Sequence, residues 1–172
     1  MILKVFKEKS NQKYINKLLN ARQVAVSNTK MNTVGVILNS KEFSDFEAIK
    51  SFFKTIGIQE RKIKIITFVE DPKDSNDLWG SYFNPKNFGW KGKINHSGLQ
   101  EFIDTEFDLL ISFYESNCLE LNQVVAMSKA NFKVGLTNED QRLYDLMIHV
   151  KLSDFKTLTK ELKKYLTVLN KL

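Results

Sequence analysis

The feature that most limits the fold is a change of period between residues 34 and 56. Residues 34–38 (VGVIL) are a short, wholly apolar run, and Phe46, Ile49, Phe52, Phe53 and Ile56 then recur at helical spacing. A continuous apolar run of this length suits a strand buried on both faces, and the residues after it suit an amphipathic helix. Gly57 follows as a left-handed helix stop. The alternation continues down the chain. Further strands are predicted at 63–69, 107–113 (FDLLISF), 132–136 and 146–150. A helix is predicted over 118–129, capped by Ser116 or Asn117 and ended by Asn131, and a closing helix from Ser153 buries Phe155, Leu158, Leu162, Tyr165, Leu166 and Leu169. Strands alternating with helices imply a parallel sheet covered on both faces. The expected fold is therefore α/β, a Rossmann-like three-layer αβα sandwich with a mostly parallel sheet of about five strands, plus a basic N-terminal helix.

At 172 residues, with 42% hydrophobic residues and 13 Phe, the chain can fill one core without disulfides. Its single cysteine, Cys118, excludes an internal disulfide or a cysteine-rich metal site. No apolar run approaches the length of a membrane span and no signal-peptide pattern is present, so the expected location is cytoplasmic.

Charge divides the chain unevenly. Residues 1–31 hold seven Lys/Arg (Lys4, Lys7, Lys9, Lys13, Lys17, Arg22 and Lys30) against Glu8 alone, which accounts for the whole net charge of +6. The remaining 19 basic residues are balanced by 19 acids. The expected organisation is a basic helical arm at 1–31 followed by a single α/β domain at 32–172. The arm is predicted to be helical from Ser10, with Tyr14, Ile15, Leu18 and Leu19 on one face. Two readings of it are open. The apolar face docks the helix on the body and the lysines are solvated, or Lys4, Lys7, Lys9, Lys13, Lys17 and Arg22 engage an anionic partner such as RNA, a ribosome or an acidic protein. With only three arginines in the chain, base-specific readout through guanidinium forks is not expected.

Residues 70–96 break the rhythm. They hold both prolines, both tryptophans and three glycines without a helical period, and so predict an irregular loop or hairpin. Tyr82, Phe83, Phe88 and Trp90 either form a lid or partner-binding flap, or anchor the loop to the core.

Ligands of open α/β sheets bind outside the carboxyl ends of the strands. The residues there are Asn39, Ser40 and Lys41, then Glu70, Asp71 and Lys73, then Tyr114, Glu115, Ser116 and Asn117, and finally Thr137, Asn138, Glu139 and Asp140. Asn39, Ser40, Glu115, Ser116 and Asn117 are the candidate ligand contacts. The sequence contains neither G-x-G-x-x-G nor a Walker-A loop, and several carboxylates on this rim would repel a phosphate. Cys118, near a predicted helix start that would lower its pKa, is the one candidate nucleophile. His96 and His149 have no metal-site spacing. No catalytic residue, metal or cofactor is assigned.

Residues 107–135 (FDLLISFYESNCLELNQVVAMSKANFKVG), with 81–93 (SYFNPKNFGWKGK) before them, resemble a family of small α/β proteins of Bacteroidetes known only as a domain of unknown function. The resemblance runs over most of the chain and implies a bacterial protein without assigned catalytic residues. The same stretch is similar to the first Rossmann half of glycosyltransferases of the heptosyltransferase kind. The chain has no room for the second half, which in those enzymes binds the sugar nucleotide. Two functions are thus carried forward: a non-enzymatic binding or adaptor module using the basic arm, and a small-ligand or nucleotide-type enzyme or sensor using the carboxyl edge of the sheet.

Overall fold

The computed structural model describes residues 2–24, 29–75, 81–136 and 140–172. Six strands form one sheet: β1 (Val34–Asn39), β2 (Ile63–Phe68), β3 (Ser81–Phe83), β4 (Leu109–Phe113), β5 (Lys133–Gly135) and β6 (Leu146–Met147). The spatial order is β3-β2-β1-β4-β5-β6 and every neighbouring pair is parallel. The registers are continuous at the centre, where Val36 lies opposite Ile65 on one side and Ile111 on the other. All six residues of β1 are buried, which is why its sequence shows no alternation.

Side-chain alternation sorts the core into two halves. Val34, Val36, Leu38, Leu109, Ile111 and Phe113 face α2 (Phe46–Thr55) and α5 (Phe155–Val168). Ile37, Ile66, Phe68 and Leu110 face α1 (Ile2–Ala21), α3 (Ser97–Asp104) and α4 (Leu119–Met127). The result is the three-layer αβα sandwich the periodicity predicts, with six strands instead of five. Gly35 gives Phe107 room to cross the sheet, since a Cβ there would stand 2.6 Å from the ring.

The helix ends follow local chemistry. Asp45 accepts from the Ala48 amide at 2.9 Å to start α2, and Gly57 closes that region at φ +95°. Asp154 caps α5 by accepting from the Thr157 amide, and hydrogen bonding from the Thr157 side chain first and this amide second lowers its pKa. His96 caps α3, its Nδ1 accepting from the Leu99 amide at 3.0 Å.

Several boundaries differ from expectation. α1 begins at Ile2, because Lys7, Glu8 and Lys9 interrupt the apolar stripe without interrupting the helix they favour. Cys118, not Ser116 or Asn117, is the N-cap position of α4, and that helix ends at Met127. The last strand is only Leu146–Met147, leaving His149 outside it and exposed. β3 and α3 were not anticipated. β3 is three residues long, too short to show a period, and it lies inside the 70–96 excursion.

The excursion is otherwise built on short turns and on α1. Phe83 and Phe88 are buried in the core, while Tyr82 and Trp90 are exposed, at 36% and 48%. Asn11 of α1 donates to the Gly89 carbonyl at 3.0 Å and accepts from the Gly92 amide at 3.1 Å. Gly92 has φ +81°, and the Tyr14 ring lies against it where no side chain would fit. The loop aromatics thus split between anchoring and exposure. Trp79 and Gly80 lie outside the described residues.

Candidate functional site

The strand order reverses between β1 and β4, so the crevice above their carboxyl ends is the topological switch point. The chain brings Asn39, Glu115 and Ser116 together there. Asn39, last in β1 and nearly buried, donates through Nδ2 to Ser116 Oγ at 2.9 Å and to Glu42 Oε1 at 2.8 Å. The Glu42 carboxylate also accepts from the amides of Glu115, at 2.5 Å, and Ser116, at 3.2 Å. Glu115 turns its own carboxylate away, accepting from the Leu152 amide. Ser40 extends the sheet, its amide donating to the Phe68 carbonyl, and Asn117 Oδ1 accepts from Asn122 Nδ2 at 2.7 Å.

Glu42 is the residue that the rim reading missed. It lies two positions beyond Ser40, and only the turn at residues 40–42 folds it back over the crevice. Its effect is electrostatic. Two backbone amides and an Asn amide that could receive a phosphate or carboxylate oxygen already hold a carboxylate of the chain itself. Beside it, Lys41 pairs with Glu70, holding that exposed carboxyl below its usual pKa, with a smaller contribution from Lys4. Thr137, Asn138 and Glu139 lie outside the described residues.

α1 packs along α4, with Ile15 and Leu19 in the same cluster as Leu121, Val124 and Val125. At about 100° per residue, Lys7, Asn11, Ile15 and Leu18 lie on the docked side, whereas Lys9, Lys13 and Lys17 fall within about 80° on the other. The candidate arm cations therefore have different surroundings. Arg22 forms an ion pair with Asp145 at 2.7 Å and donates to the Arg142 carbonyl at 2.9 Å, with only 17% of its side chain exposed. Lys7 Nζ donates to the Phe88 carbonyl at 3.2 Å, and Lys4 lies 3.9 Å from Glu8. Lys9, Lys13 and Lys17 are exposed and make no ion pair among the described residues.

A model described as a family of unknown function, DUF6913, matches residues 7–169. The chain belongs to the DUF6913 family. No curated protein matches the sequence. The part of this DUF6913 chain that the model matches includes the docked turns of α1, the Glu42 crevice and all six strands.

The remaining reactive groups of the DUF6913 fold have structural surroundings. Burial pushes the Cys118 thiol up to about 11 despite hydrogen bonding to the Leu121 and Glu120 amides, so the expected lowering at the helix start is reversed. Tyr114, Tyr144 and Ser112 form a buried hydroxyl chain with links of 3.2 and 3.1 Å, and burial raises the Tyr114 pKa well above its usual value. Among the described residues, no group of three or more His, Cys, Asp or Glu could hold a metal ion. Nor is any described helix long and apolar enough to cross a membrane.

A larger cleft, about 670 Å³, lies elsewhere, beside Ile63–Ile66 where β3 stops short. None of the polar residues lining it is buried. Size alone therefore does not make it the site.

Proposed function

We infer that this DUF6913 protein is a binding module that holds single-stranded RNA along the outer face of α1. The observation carrying this reading is the stripe Lys9, Lys13 and Lys17, exposed and without ion pairs among the described residues, on a helix whose other side is fixed in the core. Successive members of the stripe are one i, i+4 step apart, a rise of about 6 Å. The three ammonium groups lie among Gln12, Asn16 and Asn20 with no apolar residue between them. Residues 9–20 of this face carry no apolar side chain, and the exposed apolar residues of α1, Ile2, Leu3, Val5 and Phe6, are confined to its first turns. Phe6, 57% exposed and one turn ahead of Lys9, offers a ring on which a base can stack.

The reading of a small-ligand site at the β1/β4 crevice has less support, because Glu42 already occupies the converging donors.

Fluorescence anisotropy with a labelled oligouridylate tests the RNA reading. Three phosphate contacts give a slope of log affinity against log salt near −2, at about 0.7 per contact for single strands. Lys9→Glu, Lys13→Glu and Lys17→Glu together are expected to abolish binding while the far-UV circular dichroism stays unchanged. Salt-independent binding, equal affinity of the triple variant, or equal affinity for polyglutamate would refute an RNA-binding face.

A further inference from the structure

A second group of lysines lies on the docked side of α1, around a cleft of about 350 Å³ between α1, α4 and the loop that follows β3. Its mouth carries Lys4, Lys7 and Lys86, with Glu8 and Glu120 also lining it. Pro85, Phe88 and Leu119 supply apolar wall. Because Pro85–Asn87 follows β3 and Leu119 opens α4 after β4, the cleft stands at the carboxyl end of the sheet, next to the crevice that Glu42 fills. Lys7 is held in place by its bond to the Phe88 carbonyl, which leaves two of its three ammonium protons for another acceptor.

Gln123, on α4, also lines this cleft and is 1% exposed. Its Nε2 reaches only the sulfur of Met127 at 3.6 Å, and its Oε1 has no hydrogen-bond partner. It is the one such buried side-chain atom among the described residues. Turning the amide over would place oxygen against sulfur and leave the nitrogen unpaired, so either orientation strands a polar atom. Leaving such a group buried destabilises the fold, and a methionine or leucine would fill the same space without that cost. Oε1 is enclosed, so a donor reaches it only when the Gln123 side chain turns toward the cleft, and a bound molecule that brings an N–H or O–H there removes the penalty. Nearby Asn11, by contrast, has both ends of its amide engaged by Gly89 and Gly92 of the 89–92 turn.

We propose that this cleft binds a mononucleotide: a phosphate monoester for the lysines at the mouth, and a flat ring carrying a hydrogen-bond donor for the Phe88 wall and the Gln123 amide oxygen. The volume is in the range of small-molecule sites and too small for a dinucleotide. This site is separate from the outer RNA-binding face, since Lys4 and Lys7 point to the docked side of α1 and Lys9, Lys13 and Lys17 do not.

The test is amide NMR of the full chain titrated with 5′-AMP, with adenosine and with inorganic phosphate. 5′-AMP is expected to shift the Gln123 side-chain amide and the Phe88 and Leu119 backbone amides saturably. Adenosine and phosphate, each with half of the required chemistry, are expected to bind at least about tenfold more weakly, one hydrogen bond or ion pair being worth roughly that factor. Gln123→Met should weaken 5′-AMP by a similar factor without lowering Tm. Lys86→Ala, at an exposed position, should do the same and serves if Gln123→Met misfolds. Absence of shifts at the cleft up to millimolar 5′-AMP overturns the proposal, as does equal affinity of wild type and variants, or phosphate alone binding as tightly as 5′-AMP. The Lys9/Lys13/Lys17 triple variant is expected to keep this binding, which separates failure of the cleft from failure of the RNA reading.

Discussion

Arg22→Met distinguishes an anchoring cation from a partner-binding one at the end of α1. In the native chain the guanidinium lies 2.7 Å from Asp145 Oδ1, and Asp145 Oδ2 accepts from the Lys133 amide at 2.8 Å. The Asp145 side chain is 2% exposed. Removing the guanidinium leaves a buried carboxylate with one backbone donor, a class of change that costs about 3–5 kcal/mol. Two features reduce this: Arg22 is itself partly exposed, and the Lys133 ammonium still attracts Asp145. The expected loss is therefore about 2–4 kcal/mol, or roughly 4–16 °C in Tm at about 2–4 °C per kcal/mol for a chain of this size. Lys13→Met, at an exposed position, should change stability by less than about 0.5 kcal/mol. Urea unfolding of the three proteins gives the differences, and RNA anisotropy well below the transition gives the binding. The RNA affinity of Arg22→Met should equal wild type, while that of Lys13→Met should fall. If Arg22→Met is as stable as wild type and loses RNA affinity, the division of α1 into an anchored and a free side is wrong.

Three further outcomes follow from the geometry. Gly92→Ala would force a side chain into the Tyr14 ring at a left-handed φ, and should destabilise by about 2 kcal/mol or more and loosen the 89–92 turn, read as a change in Trp90 fluorescence. Glu42→Ala removes the acceptor for the Glu115 and Ser116 amides, whose hydrogen exchange should accelerate, and acetate should partly restore the lost Tm in the variant but not in wild type. Lys133 is buried and donates to the Val125 carbonyl, and burial first, then Arg22, lowers its pKa to about 8. The unfolded chain therefore binds the extra proton between about pH 8 and the usual lysine value near 10.4, so stability should rise with pH across that window by up to about 3 kcal/mol. The penalty is fully present below pH 8, and Lys133→Met should flatten the slope when unfolding free energy is measured against pH.

The central strands were legible because burial on both faces removes alternation and leaves an apolar run, as at 34–38. The α2 and α5 helices were legible for the opposite reason, since one face of each is exposed and the 3.6 period survives. β3 was not legible because three residues cannot display a period and its place is set by pairing with β2. The start of α1 at Ile2 is not legible from apolar spacing, which points to Ser10. Ile2, Leu3, Val5 and Phe6 are helical yet exposed, so their spacing reflects no packing. The rim residues were placed by the switch-point rule, but Glu42 was invisible to it. Its role depends on a turn that brings a carboxylate back over amides more than 70 positions away in sequence.

The positive charge of residues 1–31 looked like one property of the sequence and is several properties of the fold. Arg22 is consumed by Asp145, and Lys30 donates to the Leu172 carbonyl. Lys4, largely exposed and 3.9 Å from Glu8, and Lys7 line the mouth of a cleft whose wall includes Gln123. Among the described residues, Lys9, Lys13 and Lys17 are the arm cations that are exposed and make no ion pair. A linear count cannot make this division, because it depends on which side of α1 meets α4, and that is decided by Ile15, Leu19 and the Asn11 amide. Repulsion among lysines on this helix is offset by a carbonyl for Lys7 and a carboxylate for Lys4. The outer three have no such partner among the described residues, and neighbouring like charges at i, i+4 are mutually destabilising. Their arrangement favours an anion from outside, and the salt dependence of RNA binding measures that preference directly.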